Sequence, residues 1–432
     1  MIRPRHARPP SRSLLAMWRA QTAAPHAAPH TGRAGPWRGR RPHGRPRPAR
    51  GLAVALVALE GRRGFTLLLA LLVLLALGTL GTGLLFVSTQ EARVATALVH
   101  TARARAGAES AARAALAGWR TSDYRALESG APHAVQAAAG TLAPDVAYDA
   151  RVERLAAGLF MIRGEARSGP EAGPGARASV GLLVRGLLPA EFAPELAAAL
   201  SAAGPVEVLP GGVVDGTGAA GPPEGWSPAF CPPDPVLGLP PGPRPGVLLP
   251  DNAPAPAGAV QGVPPVAREP GLADSAALAG LGRLGLADLA ALADRTEAGS
   301  VAATPRTVDG ECDVGAPGNW GDPADPAAPC GGYLPLIFAP ADLALSGAGQ
   351  GVLVVQGDLV LAPGAAFHGA VLVTGRMTVG AGAVVSGAVR AGEASVAGAV
   401  RFDACALGRA LGSAPGLDRP LRPAGRSWVP VF

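Results

Sequence analysis

The sequence predicts an α+β fold with a single N-terminal transmembrane helix, a small antiparallel sheet and a short right-handed β-solenoid at the C-terminal end. Three observations lead to this prediction. Residues 65–87 carry no charge, residues 145–153 alternate between polar and apolar side chains, and similar segments recur at a short and nearly constant interval after Tyr333. Each part is considered below in chain order.

Residues 1–64 form a basic leader. The first 63 residues carry 14 Arg and one acid, Glu60, so the formal net charge of +6 leaves the remainder of the chain at −7. A segment this rich in Arg, Pro, Ala and Gly buries too little apolar surface to fold, and we expect disorder. It is either a basic tail or a stretch upstream of a later start at Val54 or Val57, and we favour the later start. The acidic main body gives no support for nucleic-acid binding.

A membrane-spanning helix is predicted from Phe65 onward. The 23 uncharged residues from Phe65 to Val87 are enough to cross the hydrocarbon layer at about 1.5 Å per residue. Arg62 and Arg63 precede them, which places the N-terminus in the cytoplasm and the rest of the chain outside it. A secretory signal peptide would have a shorter apolar core followed by a small-x-small cleavage site, and residues 84–91 show no such site. A plain membrane anchor remains the simpler alternative.

The residues around the start of this helix resemble a known processing site. Gly64-Phe65-Thr66-Leu67 is similar to the type IV prepilin junction, where a dedicated peptidase cuts after Gly64 and methylates Phe65. The apolar run then continues as an amphipathic helix, and residues 61–120 together resemble PilX-type minor pilins and the large minor pseudopilins of type II secretion. The resemblance implies a pilin helix at 65–118 and, as partners, the inner membrane, a prepilin peptidase and other pilins or pseudopilins.

Leu69 departs from the usual pilin pattern. Most major pilins carry Glu at this fifth mature position, where the carboxylate can pair with the N-terminal amine of a neighbouring subunit. An amine buried without that partner is costly. Leu69 therefore favours a rare or tip subunit, or a processed protein that never polymerises.

The middle of the chain is predicted to be rich in strands. Alternation at 146–152, with two further candidate strands at 159–163 and 178–184, indicates a small antiparallel sheet within a pilin-like region at 119–218. A generic α+β domain behind an anchor fits the same residues. Residues 219–332 are interpreted as a Pro/Gly-rich insertion, irregular over 219–275 and helical at about 271–296.

Four coils of a β-solenoid are predicted at 333–403, followed by a C-terminal tail at 404–432. The segment 341–345 is echoed by 357–361, and Gly357 recurs as Gly375 and Gly392. Coils this small share one core by stacking, and Gly allows the positive φ of tight corners. The pattern resembles the solenoid of bactofilins. Leu359 and Val373 are expected to point into the shared core.

Parallel β-helices also include polysaccharide-active enzymes, which cluster carboxylates or basic residues on one face. The repeat offers only a thin spread of such residues: Asp342, Asp358, His368, Arg376, Arg390 and Glu393. His368 is interpreted as a surface residue at a coil end. The sequence contains no metal cluster, nucleophile motif or phosphate loop, so neither an enzyme nor a cofactor is expected.

Four cysteines are present: Cys231, Cys312, Cys330 and Cys405. An even number in an exported chain without a CxxC pair favours disulfides over metal binding. Cys312 and Cys330 flank a turn-rich loop, and their bond would contribute about 3 kcal/mol in the chain-entropy model. Cys231 would then pair with Cys405, the alternative being four buried free thiols.

The expected function is structural: a minor component of a type IV pilus or type II secretion pseudopilus, acting in assembly, priming or tip and surface contact. The alternative is a membrane-anchored periplasmic or surface solenoid protein outside any pilus, and the third is a carbohydrate-active β-helix enzyme. In the first two cases the chain crosses the inner membrane once, with its bulk in the periplasm or, for a pilus component, exposed on a filament.

Overall fold

The computed structural model describes residues 65–170, 175–218, 223, 226–231, 242–273, 278, 280–419 and 428–430. The predicted basic leader, including Gly64 of the predicted cleavage junction, lies outside these residues. The chain divides into two compact units, Met1–Gly83 and Leu84–Phe432. The structure confirms an α+β architecture in which one long N-terminal helix precedes a region made mostly of strands.

Helix α1 is the longest element, with 53 residues from Phe65 to Ala117. This agrees with the predicted helix at 65–118. The other described helices are α2 (Thr121–Tyr124), α3 (Pro189–Phe192), α4 (Leu286–Leu292), α5 (Ala404–Ser413) and α6 (Pro415–Asp418). Of the helix expected at 271–296, the structure describes Leu278 as helical and then α4, while residues 274–277 and 279 lie outside the described residues. Gly282 before α4 has φ 63°, and the Asp288 carboxylate accepts the Gly285 N–H at 3.0 Å, so α4 starts only there.

The strands form two large sheets and one hairpin. In chain order they are β1 (Pro132–Ala134), β2 (Gly140–Ala143), β3 (Val146–Ala156), β4 (Leu159–Ser168), β5 (Ala176–Arg185), β6 (Leu200–Ala202), β7 (Val206–Val208), β8 (Val213–Asp215), β9 (Val247–Leu249), β10 (Ala259–Gln261), β11 (Val266–Arg268), β12 (Arg295–Thr296), β13 (Gly299–Ala303), β14 (Thr307–Val308), β15 (Glu311–Cys312), β16 (Leu336–Ala339), β17 (Leu343–Val355), β18 (Leu359–Leu361), β19 (Ala366–Val379), β20 (Val384–Val396), β21 (Ala399–Phe402) and β22 (Trp428–Pro430).

The first sheet is antiparallel, with the order β1-β3-β4-β5-β22 and with β2 on β3. The alternation predicted for β3 is confirmed, since Val146, Ala150 and Val152 are buried and the residues between them are more exposed. The second half of α1 covers the same face of the sheet through small side chains. A Cβ added to Gly164 would overlap the Ala108 carbonyl oxygen, so only Gly permits this close approach.

The buried face of α1 starts later than the amphipathic pattern indicates. Ala104, Ala108 and Ala112 are fully buried, whereas Val94 and Leu98 are exposed. The sheet reaches back along the helix only to about His100, whose Nδ1 lies 3.1 Å from Ser168 Oγ. Apolar residues before that position have no described neighbour to pack against.

The second sheet has fourteen strands, and every described pairing in it is parallel. Leu343 lies opposite Leu359 and Ala366 lies opposite Val384, so neighbouring strands are offset by one repeat. The offset is slightly shorter between β20 and β21, where Val384 lies opposite Ala399. The repeat interval read from the sequence is thus the register of neighbouring strands.

This sheet extends beyond the region in which the sequence shows repeats. Strands β6 and β7 pair with β20, β8 pairs with β21, and β9 to β13 also join the sheet. Residues 219–275, predicted to be irregular, therefore contribute β9, β10 and β11. Each has three residues and lies close to Pro or Gly, so it is too short to show a periodic pattern.

The core of the parallel sheet is formed by Leu, Val and Ala side chains, and Leu359 and Val373 are fully buried as expected. Gly351, Gly369 and Gly387 lie side by side in register with φ of 116°, 135° and 145°. The segment after residue 403, named only as a tail in the prediction, includes helix α5, whose Leu407, Ala410 and Leu411 are buried against this sheet.

Candidate functional site

The first half of α1 is an apolar surface with no described cover. Its Leu and Val side chains from Leu67 to Val87 are exposed. Its hydroxyl groups are satisfied within the helix, since Thr79 Oγ1 donates to the Ala76 carbonyl at 2.9 Å and Thr82 Oγ1 to the Gly78 carbonyl at 3.0 Å. Within the described residues it is the one helix long and apolar enough to cross a membrane.

The predicted cleavage junction lies at the start of this helix. Phe65 is the first residue of α1, and Gly64 lies outside the described residues. Leu69, at the position where most major pilins carry Glu, is 55% exposed. No acidic residue occurs in the sequence between Phe65 and Gln90. A buried amine in this apolar environment would therefore find no carboxylate on its own helix before Glu91.

Two disulfide bonds are present, and their pairing is the one expected from the sequence. Cys312 is joined to Cys330, with a Cα–Cα distance of 4.8 Å, and Cys231 is joined to Cys405 at 4.9 Å. The alternative of four free thiols is not found. Disulfides are typical of an oxidising compartment.

The loop closed by Cys312 and Cys330 is held by buried polar groups. The side-chain amide of Asn319 donates to the carbonyls of Asp313 at 2.7 Å and Arg306 at 3.1 Å. Gln350 on β17 donates through Nε2 to the Gly331 carbonyl at 2.9 Å. These bonds attach the loop to the parallel sheet, so the disulfide serves the fold in this structure.

The second disulfide adjoins an aromatic and basic cluster on the parallel sheet. We call Trp226, Phe230, His368 and Arg409 the His368 cluster. The Trp226 ring is stacked on His368 with centroids 5.5 Å apart, and the Arg409 guanidinium lies 4.6 Å from the Trp226 ring and 5.8 Å from that of Phe230. Trp226 Nε1 donates to the Pro323 carbonyl at 2.7 Å. The bond from Cys231 to Cys405 ties this segment down.

The prediction that His368 is a surface residue is only partly right, because the residue is half-buried. Its Nδ1 is buried and has no hydrogen-bond partner among the described residues. Burial, and then the charge of Arg409, lower the pKa of His368 to about 4. The imidazole is therefore neutral near pH 7 and its proton affinity is too low for an efficient general base. The misreading arose because the covering residue, Trp226, is far away in sequence.

The carboxylates of the repeat take part in hydrogen bonds between strands. Asp342 Oδ1 accepts the Asp358 N–H at 2.8 Å, and Asp358 Oδ1 accepts the Arg376 N–H at 2.7 Å. Glu393 forms an ion pair with the Arg376 guanidinium. Arg390 pairs with Glu195 at 2.5 Å, a partner outside the repeat. The structure thus places Asp342, Asp358, Arg376 and Glu393 next to one another on successive repeats, whereas Arg390 and His368 contact other residues.

Within the described part of the chain, no three His, Cys, Asp or Glu side chains are placed to share a metal ion. Trp226, Phe230 and Arg409 are the members of the His368 cluster that the sequence analysis missed. Their proximity in sequence to Cys231 or Cys405 is the feature that could have drawn attention to them.

Comparisons with known proteins find no family model, curated protein or solved structure that matches the chain.

Proposed function

We propose that this chain is a minor pilin-like subunit of a type IV pilus or a type II secretion pseudopilus, with a structural role in assembly, priming or tip contact. One observation carries the proposal. Gly64 directly precedes, and Phe65 begins, a 53-residue helix whose first part is uncharged and exposed and whose last part packs on an antiparallel sheet.

The dimensions of α1 support this arrangement. At about 1.5 Å per residue, the 23 residues from Phe65 to Val87 cover about 30 Å of hydrocarbon. A prepilin peptidase cutting after Gly64 would leave Phe65 as both the N-terminus and the first helical residue. In this proposal the chain crosses the inner membrane once, and everything after Val87 lies in the oxidising compartment that the disulfides favour.

We further propose that the parallel strands are coils of a short right-handed β-solenoid. Support comes from the parallel pairings among β16 to β21, which are each offset by about one repeat, and from Gly residues with positive φ at equivalent positions. Coils of this length bury their apolar faces only by stacking. The solenoid would present a rigid surface beyond the membrane-anchored helix.

Leu69 indicates which kind of subunit this is. A subunit inside a filament needs a carboxylate to pair with the buried amine of its neighbour, and Leu69 cannot provide it. A tip or priming subunit has no such neighbour above it. We therefore propose that this chain is a rare subunit that starts or caps the filament.

The same residue supports a second candidate, a membrane-anchored periplasmic or surface solenoid protein outside any pilus. A carbohydrate-active enzyme has less support, because Asp342, Asp358 and Glu393 are engaged in bonds between strands.

N-terminal sequencing of the membrane-extracted protein tests the processing step. We expect the mature chain to begin at Phe65, and Gly64→Leu to leave the leader attached. Gly61→Leu, which changes a glycine slightly further upstream, is the matched control and should be processed normally. An intact wild-type N-terminus, or a cut beyond Val87, would contradict the pilin proposal.

Filament shearing separates the two candidates. A minor pilin should appear in sheared filaments in substoichiometric amounts and only when Gly64 is intact. A protein that is processed but stays wholly in the membrane fraction, while major pilins are sheared off, would favour the anchored solenoid protein instead.

A further inference from the structure

A large open groove adjoins the antiparallel sheet. Its volume is about 2000 Å³, and it is lined by residues of α1, β3, β4, β5 and β22 and of the turns between them. Sites for small molecules usually have volumes of about 300–1,000 Å³. A groove of this size suits an extended chain segment, and we call it the sheet groove.

The sheet groove carries an excess of positive charge. Its charged lining residues are Arg105, Glu109, Arg113, Asp149, Arg151, Glu165, Arg167 and Arg177. Each acid already has a partner. Glu109 pairs with Arg105 at 3.3 Å and with Arg113 at 3.2 Å. Asp149 pairs with Arg151 at 3.7 Å, and Glu165 pairs with a neighbouring arginine on the same face at 3.5 Å.

Arg167 and Arg177 are the two cations left over. They lie directly opposite each other in the register of β4 and β5, and both are exposed. Neither forms an ion pair with any residue that the structure describes. Like charges facing each other across an antiparallel pair are destabilising, with Cβ atoms only about 4.5–5.5 Å apart. A carboxylate placed between the two guanidinium groups would remove the repulsion and accept hydrogen bonds from both.

The rest of the lining is partly apolar. Val429 is 40% exposed and pairs with Gly181 of β5, so it shares the face of the sheet that carries Arg167 and Arg177. Trp428 lies on the other face, with the Arg113 guanidinium of α1 5.6 Å from its ring. A ligand that matches this surface needs apolar side chains as well as carboxylates. A polypeptide offers both, whereas an acidic polysaccharide offers mainly polar groups.

We infer that the sheet groove binds an extended acidic polypeptide segment, with a carboxylate bridging Arg167 and Arg177 and an apolar side chain against Val429. The inference does not depend on the proposed pilus function. An anionic membrane surface is a poorer match. Arg167 precedes Ser168, which contacts His100, and His100 is about 20 Å along α1 from Val87. Electrostatic attraction at physiological salt fades over about 8 Å.

Peptide binding to the full chain in neutral-detergent micelles tests the inference. The probe is a fluorescein-labelled twelve-residue peptide of alternating Glu and Ala, followed by fluorescence anisotropy. We expect salt-sensitive binding by the wild type, and binding weakened by about tenfold or more in the Arg167→Gln, Arg177→Gln double variant. The analogous Gln-Ala peptide should not bind. The charge-reversed Arg167→Glu, Arg177→Glu variant should instead bind a Lys-Ala peptide.

The matched control is Arg283→Gln with Arg401→Gln, which removes the same charge from exposed positions outside the groove. It should bind the Glu-Ala peptide as the wild type does, and thermal unfolding should show both double variants folded. Equal weakening in the control, or wild-type affinity in the Arg167, Arg177 variant, would overturn the inference. The inference would also be overturned if hyaluronate or phosphatidylglycerol displaced the labelled peptide at a lower concentration of anionic groups than the unlabelled Glu-Ala peptide needs.

Discussion

His368 shows how surroundings unrelated to local sequence set the chemistry of one residue. Trp226 stacks on its ring, and Arg409 places a positive charge beside it. Both effects, with burial as the larger, favour the neutral imidazole. The cluster is thus held in one protonation state near pH 7, and protonation of His368 opposes the folded structure.

We predict that His368 makes the protein less stable in mild acid. Its folded pKa of about 4 lies below the unfolded value of 6.5, so the folded state binds fewer protons between these limits. Stability from this group is complete above pH 6.5 and is lost as the pH falls toward 4, by at most about 3 kcal/mol. Thermal unfolding at pH 7 and pH 4.5 measures the loss.

The comparison variant is His368→Gln, which cannot take up a proton. It should lose less stability than the wild type between the two pH values. Burial raises the pKa of the Asp403 carboxyl, which gives a slope of opposite sign, but this group is present in both proteins and cancels in the difference. Equal acid sensitivity of the two proteins would show that His368 is not protonated on unfolding.

At the scale of one element, the three residues of β18 alternate between the buried and the exposed face of the parallel sheet. Leu359 and Leu361 are buried, whereas Val360 between them is 45% exposed. Leu359 pairs in register with Leu343 on one side and Met377 on the other. The apolar side chains of neighbouring strands therefore depend on one another for burial.

We predict that Leu359→Asp destabilises the parallel sheet by several kcal/mol, because it buries an unpaired carboxylate. Val360→Asp adds the same charge on the exposed side of the strand and should lower the free energy of unfolding by much less. Limited proteolysis of the two variants makes the comparison, with α1 expected to stay in the membrane in both. Equal protease resistance would mean that the register of β18 is wrong.

The two disulfides close loops of very different length, with sequence separations of 18 and 174 residues. We predict that replacing Cys312 and Cys330 by Ser lowers the free energy of unfolding by about 3 kcal/mol, and that replacing Cys231 and Cys405 costs more, because the longer loop releases more chain entropy. Urea unfolding of the two double variants gives both values. A smaller loss for the longer loop would rule out the entropic account here.

At the scale of the whole molecule, the region after α1 contains two sheets, and short helices next to these sheets form hydrogen bonds with each other. The Asp418 carboxylate at the end of α6 accepts the Ser122 N–H at 2.6 Å and the Ser122 hydroxyl at 2.8 Å. Ser122 lies on α2, which adjoins the antiparallel sheet, and α6 follows the helix buried on the parallel sheet. This carboxylate is a direct polar link between the two.

We predict that Asp418→Ala loosens this link and costs about 1–3 kcal/mol, because the Ser122 N–H loses its acceptor. Hydrogen exchange at the Ser122 amide should become faster, while exchange within β19 and β20 stays unchanged. Asp251→Ala removes the same charge from an exposed turn and serves as the control. Unchanged exchange at Ser122 would show that the carboxylate is dispensable.

Several features of this protein could be predicted from sequence because each is a local pattern. The uncharged run marks the first part of α1, the alternation marks β3, and the repeat interval reappears as strand register. The disulfide pairs followed from the even number of cysteines and the short spacing of Cys312 and Cys330. In each case the signal lies within a short stretch of the chain.

Only the tertiary structure decided the contacts between distant segments. Leu200 pairs with Val389, although the two are far apart in sequence, and neither β6 nor β7 is long enough to show a period. The contact of His368 with Trp226 has the same origin. A periodic pattern of apolar residues indicates that one face of an element is buried, but it does not indicate which segment covers that face. The hydrophobic effect is non-directional, so many different segments could cover it equally well.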